Sequence, residues 1–229
     1  MEPPVLYLDN HLLVVDKPAG MLSQGDATGD ATVLDHGKAF LKARFGKPGN
    51  VFLALVHRLD RPASGVLVLA RTSKAAQRLT DQVRRRTVEK RYLALAEGRM
   101  EGAGRCVDHL VKAYPDVRVV SPEHAGAKRA VLAWRALAHH DGLTLVEIDL
   151  ETGRPHQVRV QMAHRGHPLL GDLRYGARRT LDGRNLALHC WRMTVEHPTL
   201  RERMTFTAPP PATWPDAFAG AIDALVREA

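Results

Sequence analysis

Short apolar runs, broken at close intervals by glycine, proline and charged residues, set the pattern of this chain. Val5–Leu8 and Leu12–Val15 flank Asp9-Asn10-His11, which predicts a β-hairpin. Lys17-Pro18-Ala19-Gly20 reads as a turn, and residues 25–30 as a polar loop. Val33–Phe45 spaces its apolar residues as a helix does. Val51–Val56 and Val66–Ala70 are strand-sized, and Thr72 or Ser73 is placed to cap a helix that runs to about Arg85. Val88–Ala96 alternates like a strand. Arg129–Leu137 and Leu143–Leu150 form a further strand pair across His139–Gly142. Pro155 suits the first turn of a short helix, Pro155–His164, that Gly166 ends. Leu186–Val195 and Arg201–Thr207 are late strands, and a proline run at 209–211 precedes a C-terminal helix from about Pro215.

Strands outnumber helices and no β-α-β rhythm repeats. The expected class is α+β, with a mixed, largely antiparallel central sheet and flanking helices. No internal repeat or long linker interrupts the 229 residues, so a single domain over 1–229 is expected.

Composition narrows the function classes. With 45% hydrophobic and 25% charged residues the chain is an ordinary globular sequence. No apolar stretch approaches the roughly 20 residues of a membrane helix. Met1-Glu2-Pro3-Pro4 is not a basic segment leading into a long apolar one, so neither a signal peptide nor a membrane partner is expected. The two cysteines, Cys106 and Cys190, exclude a disulfide scaffold and form no C-x-x-C pair for zinc, which predicts a reducing cytoplasm and no metal. The 33 basic residues exceed the 25 acidic ones, a net charge of +8, and 25 of the 33 are arginine. The planar guanidinium fork suits phosphate, so the charge points towards nucleic acid.

Three segments carry candidate chemistry. In Val56-His57-Arg58-Leu59-Asp60-Arg61-Pro62-Ala63-Ser64-Gly65-Val66 a carboxylate lies on a loop between two apolar strands, which would hold it rigidly. Arg58 and Arg61 would keep Asp60 ionised, although such a string alone is ordinarily a solvated surface pair. In Gly153-Arg154-Pro155-His156-Gln157-Val158-Arg159-Val160-Gln161-Met162, Val158 and Met162 would face the core and bring Arg159 to a buried edge, where it needs an anionic partner. In Val88-Glu89-Lys90-Arg91-Tyr92-Leu93-Ala94-Leu95, Lys90 and Tyr92 would share one face of a strand. An aromatic ring beside cations can stack on a base while the charges hold phosphates.

Together these segments resemble the RluA-type family of RNA pseudouridine synthases. The resemblance includes the opening Tyr7–Gly20, the H-R-L-D-R-x-x-S-G loop, the E-K-R-Y-x-A strand, the G-R-x-H-Q-x-R helix and His167-Pro168-Leu169-Leu170-Gly171-Asp172-Leu173-Arg174-Tyr175-Gly176. They stand in the family's order over roughly 5–207. Ala63, Pro155 and Gln161 depart from the commoner Thr, Thr and His, and bear on substrate choice. A stand-alone catalytic domain is expected, without the small S4-like domain that many relatives carry at the N-terminus.

The resemblance implies isomerisation of uridine to pseudouridine in tRNA and/or rRNA, with no cofactor and a monomeric enzyme. Asp60 would be the catalytic carboxylate, Arg159 its partner, and Tyr92 a stacking platform for the extruded uracil. Arg58, Arg61, Arg84, Arg85, Arg86, Lys90 and Arg154 would contact phosphates, and His57 and His156 would orient neighbours or touch RNA. The alternative is a catalytically inactive RNA-binding factor on the same fold. A hydrolase is disfavoured, because Ser64 lacks a G-x-S-x-G elbow and His164 and His167 lack H-E-x-x-H context.

Overall fold

The computed structural model describes residues 3–228. Met1, Glu2 and Ala229 lie outside the described residues, so the N-terminal reading above falls partly on undescribed ones. In chain order the elements are β1 (Val5–Leu8), β2 (Leu12–Lys17), α1 (Val33–Phe45), β3 (Ala54–Leu55), β4 (Ser64–Ala70), α2 (Ser73–Arg85) and β5 (Glu89–Glu97). They continue with β6 (Ala103–Ala113), β7 (Asp116–Val120), β8 (Lys128–His140), β9 (Leu143–Leu150), α3 (Gln157–His164), β10 (Leu188–Glu196), β11 (Arg203–Thr207) and α4 (Ala219–Arg227). The class is α+β and largely antiparallel, as expected.

The chain forms two compact units, Met1–Glu89 with Cys190–Ala208 and Lys90–His189 with Pro209–Ala229. In the first, the strand order is β1-β2-β4-β10, with β3 on β4 and β11 on β10. β2 and β4 run antiparallel, from Leu12 opposite Ala70 to Lys17 opposite Gly65. Alternation puts Leu13, Val15 and Lys17 on one face of β2. Helix α1 packs on that face at Gly37, where an added Cβ would meet the side chains of Leu53, Leu13 and Leu69 at 2.6, 3.3 and 3.7 Å. The helix has the bounds its pattern predicts because both ends are closed. Thr32 and Asp35 form a reciprocal capping box, and Gly46 takes the left-handed C-cap conformation. In α2 the buried residues Ala75, Leu79 and Gln82 line one stripe, and Thr72 caps the start.

In the second unit the order is β5-β9-β8-β6-β7, all antiparallel. Leu93–Ala96, Leu143, Leu145, Val146 and Ile148 make its driest layer. A smaller cluster of Leu110, Val117, Ala130 and Val160 joins the β6–β7 hairpin to α3.

Four elements differ from the pattern's expectation. The hairpin β6–β7 was unforeseen, because β6 buries only Cys106 and Leu110 and its polar residues hide any alternation. The run Val51–Val56 keeps strand pairing only at Ala54 and Leu55, opposite Ala70 and Leu69. Helix α3 begins at Gln157 rather than Pro155, because His156 adopts a left-handed φ of 50° and ends the preceding turn. At the C-terminus a 3-10 turn, Asp216–Phe218, precedes α4, so the helix starts later than Pro215.

Gly65, the second residue of β4, has φ 117°, and an added Cβ would collide with the Cys190 backbone, whose nitrogen lies 2.5 Å away. Gly65→Ala is therefore expected to lower stability by about 3 kcal/mol or more, because both the dihedral and the close strand approach are violated. Thermal unfolding of the purified variant measures this; an unchanged midpoint would contradict it.

Candidate active site

In the first unit Asp60 lies between β3 and β4, and the backbone is fastened on both sides of it. The buried Ser23 hydroxyl donates to the Leu59 carbonyl (2.8 Å) and accepts the Leu59 N–H (3.2 Å). The Ala63 N–H donates to the Asp60 carbonyl (3.1 Å), and the Gly20 N–H to the Arg61 carbonyl (2.8 Å). Gly20 reaches that position with φ 84°, which suits the one residue without a Cβ.

Beneath this loop sits Lys17, fully buried at the end of β2. Its Nζ donates to the carbonyls of Met21, Pro18 and Arg61 at 2.8, 2.9 and 3.3 Å, so one ammonium ties the turn at 17–21 to the residue after Asp60. Burial pulls the Lys17 ammonium down to about 7, while the charges of Asp60 and Asp16 hold it up. Asp16, on the opposite face of β2, is itself pushed up to about 6 by burial.

Arg61 donates to the Gly20 carbonyl (3.1 Å) and pairs with Asp30 (2.5 Å). Arg58 is exposed. The charge of Asp60 acts on Lys17 beneath the loop. His57 accepts the Val68 N–H at Nε2 (3.0 Å), which fastens the loop's start to β4 and requires that nitrogen to be unprotonated. On α2, Arg84 and Arg85 share Asp81 at 2.5 and 2.8 Å, and Arg86 is the left-handed C-cap.

In the second unit Tyr92 is buried on β5 opposite Ile148. The E-K-R-Y strand meets the G-R-P-H-Q segment, since a Cβ at Gly153 would lie 3.6 Å from Lys90 Nζ. That segment is pinned by Gln157, whose side chain accepts from the Thr152 hydroxyl (2.8 Å) and the Arg154 N–H (3.0 Å) and donates to the Val131 carbonyl (3.0 Å). Arg154 donates to the Arg129 carbonyl (3.1 Å).

Arg159 is buried on α3, as its place beside Val158 predicts. Its carboxylate partner within this unit is Asp172, gripped by two charge-assisted bonds of 2.7 Å each from Nε and Nη2. The Tyr175 ring covers the guanidinium at 5.1 Å. The Tyr175 hydroxyl accepts the Val117 N–H (3.0 Å) and bonds His156 Nδ1 (2.8 Å), and burial holds its pKa above the usual phenol value. Sequence reasoning assigned no role to Lys17, Ser23, Asp172 or Tyr175, although three of them stand in the K-P-A-G and G-D-L-R-Y-G stretches it singled out. Among the described residues no group of three or more His, Cys, Asp or Glu is placed to hold a metal ion, and no helix is long and apolar enough to cross a membrane.

The first unit thus holds a carboxylate on a fastened loop, in a chain whose net charge of +8 suits a polyanionic partner. Residues 11–164 match the model of the RNA pseudouridylate synthase family. An uncharacterised RNA pseudouridine synthase of Bacillus subtilis, YhcT, is 35% identical over 92% of this chain and 70% of its own. The ribosomal large subunit pseudouridine synthase D of Vibrio vulnificus is 34% identical over 90% of this chain and 67% of its own. The solved structure of human RNA pseudouridylate synthase domain containing 4 superposes with a TM-score of 0.77 at 25% identity, covering 97% of this chain and 93% of that one. The chain belongs to the RNA pseudouridine synthase family and is an isomerase that forms pseudouridine in RNA.

The buried charges of Lys17 and Asp172 can each be tested by substitution. Lys17→Met leaves three carbonyls without their donor, and should lower stability by about 2–4 kcal/mol. The native Lys17 value of about 7 lies below its usual 10.5, so between these values the unfolded chain binds the extra proton. Stability from this group is therefore present at high pH and is lost as pH falls through about 7. The unfolding temperature of the wild type should accordingly rise from about pH 7 to about pH 9.5, and that rise should be weaker in Lys17→Met. Equal slopes in the two proteins would contradict it. Asp172→Asn leaves the buried guanidinium without its counter-charge, and should cost about 3–5 kcal/mol in thermal or denaturant unfolding.

Proposed function

We propose that Asp60 is the catalytic carboxylate, and that the target uridine lies in tRNA and/or rRNA. The observation that carries this reading is the fastening of Asp60. Ser23 holds the backbone at 59, Ala63 holds it at 60, and Gly20 and Lys17 hold it at 61, so the loop that carries the carboxylate is rigidly supported. Three routes need such an oxygen at the sugar–base junction: addition to ribose C1′, addition to uracil C6, or removal of a ribose proton. In each, the N1–C1′ bond breaks, the uracil turns, the C5–C1′ bond forms, C5 releases its proton and N1 gains one. The product is an isomer of the substrate, so no cofactor is needed.

Tyr92 stacks on the extruded uracil, and Arg159 supplies the guanidinium that balances the carboxylate. Its bidentate grip by Asp172 and its aromatic cover fix its orientation. Extruding the nucleotide costs roughly a few kcal/mol. Arg58, Arg61, Arg84, Arg85, Arg86, Lys90 and Arg154 offset that cost through phosphate contacts, with His57 and His156 as orienting groups. The chain works as one catalytic domain, a monomer in the cytoplasm, where tRNA and rRNA are found. The ribosomal target named for the Vibrio relative supports the rRNA half of this reading.

Asp60→Asn preserves size and removes the charge. Release of tritium from C5-labelled uridine in RNA should fall by at least about 100-fold, the scale of a lost acid–base group, while RNA binding persists. A variant that releases tritium at the wild-type rate would refute the assignment.

A further inference from the structure

Away from Asp60, the first unit carries a second basic feature. From His36 to Leu59 the sequence holds no Asp or Glu at all, but contains Lys38, Lys42, Arg44, Lys47 and Arg58. Part of this stretch folds into a pocket of about 390 Å³ lined by Lys38, Ala39 and Lys42 of α1 and by Gly49, Asn50 and Val51. Next to the pocket's helical wall, Gly37 has no side chain. Leu53 lies where a Cβ would stand, so the segment before β3 runs close along the helix.

Lys38 and Lys42 are an i, i+4 pair of like charges, which weakens an isolated helix unless an anion sits between them. Among the described residues neither ammonium is held in an ion pair. Asp35, the nearest acid on the helix, has one oxygen committed to the Thr32 N–H and hydroxyl in the capping box. Beside the wall, Phe52 is 49% exposed, and Phe45, 47% exposed, has the Arg71 guanidinium 4.7 Å over its ring.

We propose that this pocket is a second RNA-binding site, taking backbone phosphates several nucleotides from the target uridine. It rests on the reading of RNA as substrate. Phosphate fits the two cations, and exposed aromatic rings beside basic groups suit the bases of flanking nucleotides. The pocket and the Asp60 loop serve one face of the sheet. Gly37 packs on Leu13 and Leu69, while Lys17, on the same face of β2 as Leu13, reaches the loop. The pocket stands near the Ala70 end of β4 and Asp60 near the Ser64 end, which the rise of a strand puts about 20 Å apart. One RNA strand running along this side of the unit would reach both.

The test uses Lys38→Gln/Lys42→Gln with the charges removed and the length kept, and as probe the total RNA of cells lacking this protein, labelled with C5-tritiated uridine. At moderate salt the affinity for this RNA should fall about tenfold, and the slope of log affinity against log salt should drop by about 1.5, the loss of two phosphate contacts. KM should rise while the rate at saturating RNA stays at the wild-type value. RNA should also shield Lys38 and Lys42 of the wild type from acylation. Unfolding temperature within a degree or so of wild type shows that the fold is intact. An unchanged KM and an unchanged salt slope would overturn the proposal. If the wild type itself released no tritium, the catalytic reading would fall, while the affinity and shielding measurements would still decide the pocket.

Discussion

One buried ammonium governs the geometry of the loop that carries Asp60. Lys17 is cut off from water, and a desolvated cation is tolerable only if its donors are used and a counter-charge is near. Three carbonyls and the charge of Asp60 meet those conditions. The dependence runs both ways. The loop cannot drift without stranding the ammonium, and the ammonium cannot leave without freeing the loop. Ser23 adds a neutral fastening at Leu59, so the backbone on both sides of the carboxylate is fixed by groups from the segment 17–23. A carboxylate on a mobile loop would lose much of its reactivity to misorientation, and rigid support is what positioned catalysis requires.

The second unit solves the same problem with a different cation. Arg159 lies inside α3, and its guanidinium is planar and forked, so one carboxylate can satisfy two donors at once. Asp172 does so, and the Tyr175 ring closes over the face that no hydrogen bond can serve. Tyr175 is in turn anchored by Val117 and His156. His156 holds a left-handed dihedral that an L-residue adopts only at a cost. Helix α3, the G-D-L-R-Y-G stretch and the β6–β7 hairpin thus form one continuous set of buried polar contacts around a single charge.

How much of this was legible beforehand follows from where the information lies. Local periodicity located α1 and β9 to the residue and, with a cap at Thr72 or Ser73, α2 as well, while β2, β4 and β5 were placed to within two residues. The motif segments located Asp60, Tyr92 and Arg159 as candidates, and Arg159 lies at the buried edge expected from its place beside Val158. What was illegible is long-range. Nothing near Lys17 in sequence says that its Nζ turns inward to a carbonyl 44 residues away. Nothing near Asp172 says that it closes on a helix 13 residues back. The strand β6 escaped notice because a strand with two buried residues has no apolar period to read. Pro155 misplaced the start of α3, because a preference for the first helical turn yields to a neighbour, Gln157, whose side chain ties the turn to β8.

Burial also divides the basic residues into two populations with different physics. Lys17 and Arg159 are interior charges whose partners are fixed and shielded from ions in solution. The arginines at the surface pair with nearby carboxylates: Arg61 with Asp30, Arg84 and Arg85 with Asp81, Arg105 with Glu151. Exposed pairs of this kind contribute only about 0–1 kcal/mol each, so exchanging a carboxylate for an RNA phosphate costs the native structure little. Until RNA arrives, those pairs reduce the self-repulsion that a net charge of +8 would otherwise impose on the surface. Lys38 and Lys42 form no ion pair among the described residues, and the nearest acid on their helix, Asp35, is engaged in the capping box at Thr32. Ionic strength should therefore act on association through the exposed population and leave the interior pairs that hold the reacting groups in place.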